Sequence, residues 1–354
     1  MPAVYSGRMP YELPPVPGTE RRARIARWVS FAFAALLVGL VAYLGYVGYE
    51  GSRQLSDPPT PTTDCRTPAT FGWAYEAINY DIATDAELAT QVDPKACTRQ
   101  GAAAGDQVTV GGIELAGWYV PAANGVGATG PTVVLAHGWG SNKSNMLDRA
   151  VILHDAYNLV LVDLRNHGQS SDAATTQGVR EANDLRAMVD WLEAAKGPDR
   201  IALFGVSMGA ATVLAEAGRD ERIDAVIAES THATLANAAQ ARLDRSGYPL
   251  SMPGSWAILL GSLVRTGEDI SAVDPLQTVE RLDERPLLLI HAGADGSIGP
   301  NDAESLLAAA DAAGSPTELH VCAGAGHANS DEVCAQEYAV WVLGFLERVL
   351  APAS

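Results

Sequence analysis

Short apolar runs recur along this chain from residue 132 onward. They are Thr132–Ala136 (TVVLA), Leu159–Val162 (LVLV), Ile201–Phe204 (IALF), Ala225–Ala228 (AVIA) and Leu287–Ile290 (LLLI), with Glu318–Val321 (ELHV) extending the series. Between them the period changes. Glu181–Ala195 places Leu185, Met188, Val189 and Leu192 at helical spacing, a small-residue helix starts at Ala210, and a last helix runs from about Glu337 to Leu350. Strands that are apolar on both faces must be covered on both faces, so the pattern dictates an α/β fold with a mainly parallel, doubly wound sheet. Ahead of it, Val108–Val120 reads as two strand-like runs around Gly111-Gly112, a hairpin signal. About 58 residues separate AVIA from LLLI, more than a simple crossover needs, and the apolar stretch Trp256–Val264 lies among them. We read residues from about 229 to 284 as a small helical cap over the carboxyl edge of the sheet.

The segment with the most chemical content is Gly205-Val206-Ser207-Met208-Gly209, placed between IALF and the helix from Ala210. A sharp strand-to-helix turn lifts a serine hydroxyl clear of the sheet, and its neighbours two positions away must lack side chains. A serine needs a base, and the base needs a carboxylate to fix its tautomer. Seven histidines are present. Of these, His327 lies in the flexible Gly324-Ala-Gly-His327 loop between the last strand and the last helix. Asp295 lies just past LLLI in His291-Ala-Gly-Ala-Asp295. Asp163, which also ends a strand, is the rival acid.

These residues carry a resemblance. Over roughly residues 105–350 the chain resembles the α/β-hydrolase family. GVSMG resembles its nucleophile elbow, HAGAD its acid loop with Ala292 where glycine is usual, and GAGH its histidine loop. His137-Gly138-Trp139-Gly140 resembles its oxyanion segment, and Asp163–Ser170 a further loop in which Asn166 replaces glycine. The resemblance implies a triad of Ser207, Asp295 and His327, an oxyanion hole from the backbone N–H groups of Met208 and Trp139, and no cofactor or metal. It implies structural roles for His137, His167 and His291. It does not single out a substrate. An acyl ester is the leading expectation, and Trp256–Val264 together with a nearby bilayer favours medium or long acyl chains. The rivals are a serine peptidase of the same fold, with Asp244, Glu268 and Asp269 available to hold an α-ammonium group, and a non-catalytic binding domain.

The N-terminal part is of another kind. Trp28–Tyr49 is 22 residues without a charge, long enough to cross a bilayer as a helix. Arg21, Arg22, Arg24 and Arg27 precede it and only Arg53 follows closely, so the positive-inside bias puts residues 1–27 in the cytoplasm and the enzyme outside. We expect a signal anchor over 28–49, a Pro/Thr-rich tether over 50–64, an extension over 65–106 and the hydrolase domain over 107–350. Removal of residues 1–56 should then leave an active domain. Residues 57–354 hold 18 Lys/Arg against 39 Asp/Glu, a balance that repels nucleic acid. The four cysteines form no CxxC or zinc-like spacing. In an oxidising space Cys65–Cys97 and Cys322–Cys334 is the most economical pairing.

Overall fold

A computed structural model describes residues 19–58, 65–79 and 108–351. The elements follow in the order α1 (Thr19–Ser56), β1 (Glu76–Ile78), β2 (Thr109–Val110), β3 (Ile113–Glu114), β4 (Gly117–Val120), β5 (Thr132–Ala136), α2 (Leu147–Leu153) and β6 (Asn158–Val162). Next come α3 (Glu181–Ala195), β7 (Ile201–Val206), α4 (Met208–Ala217), β8 (Ala225–Glu229), α5 (Leu235–Arg245), α6 (Ser251–Thr266) and α7 (Pro275–Thr278). The chain ends with β9 (Leu287–Ala292), α8 (Pro300–Ala313), β10 (Thr317–Cys322), α9 (Ser330–Val333) and α10 (Ala335–Val349).

The chain divides into two units, residues 1–46 and residues 47–354. Helix α1, most of which lies in the first, is long and apolar enough to cross a membrane. In the second, eight strands form one sheet in the order β1-β4-β6-β5-β7-β8-β9-β10. All neighbours from β6 to β10 are parallel, while β1 and β4 pair antiparallel at one edge. Each central strand is buried on both faces, which is why its sequence lacks alternation. Along β5, Val133 and Leu135 join the apolar layer under α2 and α10, whereas Val134 and Ala136 join the layer under α3, α4 and α8. Gly111 and Gly112, at φ +57° and +80°, form the two-residue turn between β2 and β3. This is the positive-φ pair that such a hairpin requires. The excursion between β8 and β9 holds α5, α6 and α7.

Two boundaries differ from the sequence reading. The helix does not stop at residue 49. It continues to Ser56, so residues 50–56 are helical and not part of a tether. Residues 47–49, read as the end of the span, belong by packing to the larger unit. The cause is tertiary. Val47, Ser52 and Ser56 are buried, and Glu50 pairs with Arg53 one turn on at 2.6 Å. Packing of one face sustains a helix where composition alone argues for a break. Of the rest of the expected tether, residues 59–64 lie outside the described residues, as do 80–107 of the extension.

Candidate active site

Strand β7 delivers Ser207 to the edge of the sheet. The residue sits at φ +55°, ψ −116°, a strained conformation for a residue with a side chain. Its backbone N–H donates to Glu229 O at 2.8 Å, which ties the turn to the end of β8. The flanking glycines are steric necessities. A Cβ on Gly205 would overlap the backbone of Gly209, and one on Gly209 would lie 2.6 Å from His137 O and nearer still to Ala136 O. Helix α4 then starts at Met208, with Ala210 and Ala211 fully buried against the sheet.

The other two expected residues meet Ser207 from separate loops. His327 Nε2 lies 2.9 Å from Ser207 Oγ, and His327 Nδ1 lies 2.7 Å from Asp295 Oδ2. The second oxygen of Asp295, Oδ1, accepts from the backbone N–H groups of Ser297 (2.6 Å) and Ile298 (2.9 Å). Burial opposes the charge of Asp295. The hydrogen bond and charge of His327, with those two N–H groups, outweigh it and hold the carboxyl below its ordinary range. This arrangement puts the imidazole proton on Nδ1 and leaves Nε2 as acceptor for the serine hydroxyl. A disulfide between Cys322 and Cys334, with Cα atoms 6.0 Å apart, closes the loop that carries His327. Cys65 is also disulfide-bonded, and Cys97, its expected partner, lies outside the described residues.

The segment after β5 runs beside the serine. A Cβ built on Gly138 would stand 3.3 Å from Ser207 Cβ and 3.9 Å from its Oγ. The backbone N–H groups of Trp139 and Met208, the expected oxyanion donors, have no acceptor among the described residues. Two histidines shape this segment. His137 donates from Nδ1 to Gly138 O (2.8 Å) and accepts from Leu164 N–H at Nε2 (3.1 Å). His167 accepts from Gly140 N–H at Nε2 (3.1 Å) and donates from Nδ1 to Arg165 O (2.8 Å). Burial depresses both, His137 to about 3, so both are neutral supports as expected. Asp163 lies elsewhere. It is buried, 2.5 Å from Lys143 Nζ, and accepts from the backbone of Lys143 and Gln169. Burial pushes its carboxyl up, but the charge and hydrogen bond of Lys143, with the Gln169 N–H, prevail and hold it low. It orders the loop and does not reach His327.

One cluster escaped the sequence reading. Arg149 on α2 forks onto Glu229 through two 3.0 Å bonds, donates to Ala328 O at 2.9 Å and lies 3.0 Å from Asp331. Tyr338 OH donates to Glu229 at 2.8 Å. Ala328 follows His327 and sits at φ +59°, so Arg149 holds the strained residue next to His327. The visible signals were a cation inside the buried face of LDRAVIL and an acid directly after AVIA. Burial raises Asp331 to about 6, against the pull of Arg149.

A cavity of about 290 Å³ opens beside Ser207 and His327, and Trp139, Asn145, Asp148, Arg149, Asp331 and Glu332 are among the residues that line it. Trp256–Val264 does not line it. That stretch packs its inner face on residues 47–52 and exposes Trp256, Leu260 and Val264. Glu268 pairs with Arg180 at 3.1 Å and Asp269 accepts from Ser271, so these acids of the cap, like Asp244, are not cavity residues.

Comparison with known proteins agrees with this fold. A family model described as alpha/beta hydrolase fold matches residues 131–280. The uncharacterized protein Rv2307c of Mycobacterium tuberculosis is 30% identical over 224 residues, 62% of this chain and 70% of that protein. YfhR of Escherichia coli is 31% identical over 200 residues, 55% of this chain, and the match spans 63% of YfhR's length. Among solved structures, the Pyrococcus furiosus esterase Pf2001 superposes with a TM-score of 0.62 at 22% identity, over 83% of this chain and 100% of that one. An acylaminoacyl peptidase of Pyrococcus horikoshii gives 0.55 at 17% identity, over 70% of this chain and 42% of that one. At these identities the two structures share the fold.

Proposed function

The chain belongs to the α/β-hydrolase family, and we propose from that premise that it is a serine hydrolase cleaving short, polar carboxylic esters through an acyl-enzyme. The observation that carries the reading is the line Ser207 Oγ, His327, Asp295, with spacings of 2.9 and 2.7 Å. Ser207 Oγ attacks the acyl carbonyl while His327 Nε2 takes its proton. The negative charge that develops on the carbonyl oxygen is met by the N–H groups of Trp139 and Met208. Collapse expels the alcohol, which leaves with the proton from His327. Water then repeats the sequence, giving up its proton to His327, and frees the acid and Ser207. Asp295 holds the imidazole in the required tautomer throughout.

The cavity supports short, polar groups over the long acyl chains expected from Trp256–Val264. About 290 Å³ is at the small end for a ligand pocket, and much of its wall is charged or polar. The same acids, Asp148, Asp331 and Glu332, favour one second reading, a peptidase that holds an α-ammonium group. A panel of p-nitrophenyl esters from acetyl to dodecanoyl, run beside aminoacyl p-nitroanilides, tests both. We expect kcat/KM to fall tenfold or more between short and long acyl groups, since apolar methylenes gain little in a polar pocket (each buried CH₂ is worth about 0.8 kcal/mol only in apolar surroundings). A rise with chain length sinks the short-acyl reading. Turnover of the anilides alone makes the chain a peptidase.

For the cellular setting we propose that α1 anchors the protein in a membrane, with the arginine-rich side cytoplasmic and residues 51–354 outside. The Cys322–Cys334 bond supports an oxidising compartment. Closing a loop of this length contributes about 3 kcal/mol by restricting the unfolded chain. Reduction should therefore lower Tm and activity together, and the double variant Cys322→Ser, Cys334→Ser should match it. Mass spectrometry of unreduced peptides is the check. Free thiols at 322 and 334 in protein from its native membrane would refute both the bridge and this orientation.

A further inference from the structure

The end of α1 reaches the active site. Residues 47–56 lie against α6 with backbones in direct contact. A Cβ on Gly48 would stand 2.6 Å from Ala257 O, one on Gly51 2.5 Å from Ile258 Cγ1, and one on Gly261 2.5 Å from Gly48 O. At Gly48 and Gly261 the neighbouring atoms are backbone and no larger residue fits, so the crossing fixes the height at which the helix ends. A helix leaves its last carbonyls without intrahelical donors. Here they are met by the loops around Ser207. Leu55 O accepts from Trp139 Nε1 (3.2 Å) and Gln177 Nε2 (3.0 Å). Ser56 O accepts from Thr175 N–H (2.9 Å) and Asn166 Nδ2 (3.2 Å). Arg242 adds a second tie, from its guanidinium to Gln54 Oε1 (3.3 Å) while it lies 5.7 Å from the Trp139 ring centre.

We propose that the carbonyl end of α1 is a positioning element of the catalytic site. By holding the Trp139 indole and the 166–177 loop, it aims the Trp139 backbone N–H at the oxyanion. The proposal rests on the serine-hydrolase reading for its chemistry but not for its geometry. It also accounts for one departure from the family pattern. Asn166 stands where glycine is usual and keeps the positive φ, +63°, that glycine would adopt freely. Its amide supplies a hydrogen bond to Ser56 O that glycine lacks. Residues 47–56 are then part of the oxyanion framework and cannot be removed without cost, contrary to what the sequence led us to expect.

The test uses the full chain in detergent micelles and two variants, Trp139→Phe and Asn166→Gly. The first removes the indole N–H donor and part of the ring surface while keeping an aromatic side chain. The second keeps the backbone conformation and removes the side-chain donor. The first readout is hydrogen exchange by mass spectrometry over residues 138–146, and we expect faster exchange there in both variants with Tm nearly unchanged. The second is kinetics on p-nitrophenyl acetate with a trifluoromethyl ketone as inhibitor, which forms a tetrahedral oxyanion adduct. We expect kcat to fall roughly tenfold at constant KM, less than the 10²–10³ lost with a direct oxyanion donor, and the inhibition constant to rise by the same factor. Unchanged exchange in both variants overturns the proposal whatever the activity does. Rate losses that follow Tm, or that appear in KM alone, overturn it too. If the wild-type chain turns over no ester, the functional reading fails, and the exchange data still decide the positioning role.

Discussion

Ser207→Ala is expected to reduce ester turnover by a factor on the order of 10⁴ to 10⁶, the scale on which a triad nucleophile acts. The substitution removes one oxygen at the head of β7. It leaves the φ of +55°, the bond from the residue-207 N–H to Glu229 O and the glycine contacts untouched. Tm should therefore stay within roughly 2 °C of wild type, since no cavity, cap or buried charge is created. Fluorophosphonate labelling of wild type but not of the variant, with the tagged peptide mapped to residue 207, is the direct check. Residual turnover above about 1% in the variant would place the nucleophile elsewhere.

The parts of this site that could be read from sequence are those whose cause is local. A serine on a tight turn needs Gly205 and Gly209 within the same five residues, so the elbow is visible as a word. The strands are visible because burial on both faces removes the alternation of ordinary strands, as in TVVLA and IALF. The order Ser207, Asp295, His327 follows from the direction in which a parallel sheet is wound, and the Cys322–Cys334 bond from its short separation. What was not legible depends on partners far away in the chain. Gly48 sits in an apolar run and Gly51 in what read as the start of a tether, where small residues need no explanation, and only contact with Ala257 and Ile258, some two hundred residues on, reveals their purpose. Arg149 was not singled out, because nothing local explains a cation on the apolar face of LDRAVIL until Glu229 and Ala328 are placed beside it. Asn166 was noticed as a departure but had no cause until the end of α1 was seen to reach it. The place of Trp256–Val264 was hidden for the same reason: its inner side packs on the end of α1, and it does not line the cavity beside Ser207.

Asp295→Asn should cost about 10⁴ in kcat, and the structure says why the loss comes from the imidazole and not from the fold. Oδ1 of Asp295 accepts two backbone N–H groups, from Ser297 and Ile298. In the asparagine variant the amide oxygen must remain there, because an NH₂ would face two donors. The NH₂ is then turned toward His327 Nδ1, 2.7 Å from the replaced oxygen. Nδ1 can no longer donate, so the proton moves to Nε2, and Nε2 becomes a donor toward Ser207 when catalysis needs an acceptor. In a serine protease the equivalent change, with geometry preserved, lowers kcat by about 10⁴. Asp163→Asn makes the opposite kind of variant. Its carboxylate is buried on Lys143 and makes no hydrogen bond to His327, so its loss leaves the buried ammonium of Lys143 without that counter-charge, a change that typically costs about 3–5 kcal/mol of stability. At a temperature where both variants stay folded, Asp163→Asn should retain most of the wild-type kcat while melting many degrees lower, and Asp295→Asn should melt near wild type and be nearly inactive. The two effects exchanged, with kcat lost in Asp163→Asn and kept in Asp295→Asn, would make Asp163 the acid of the triad.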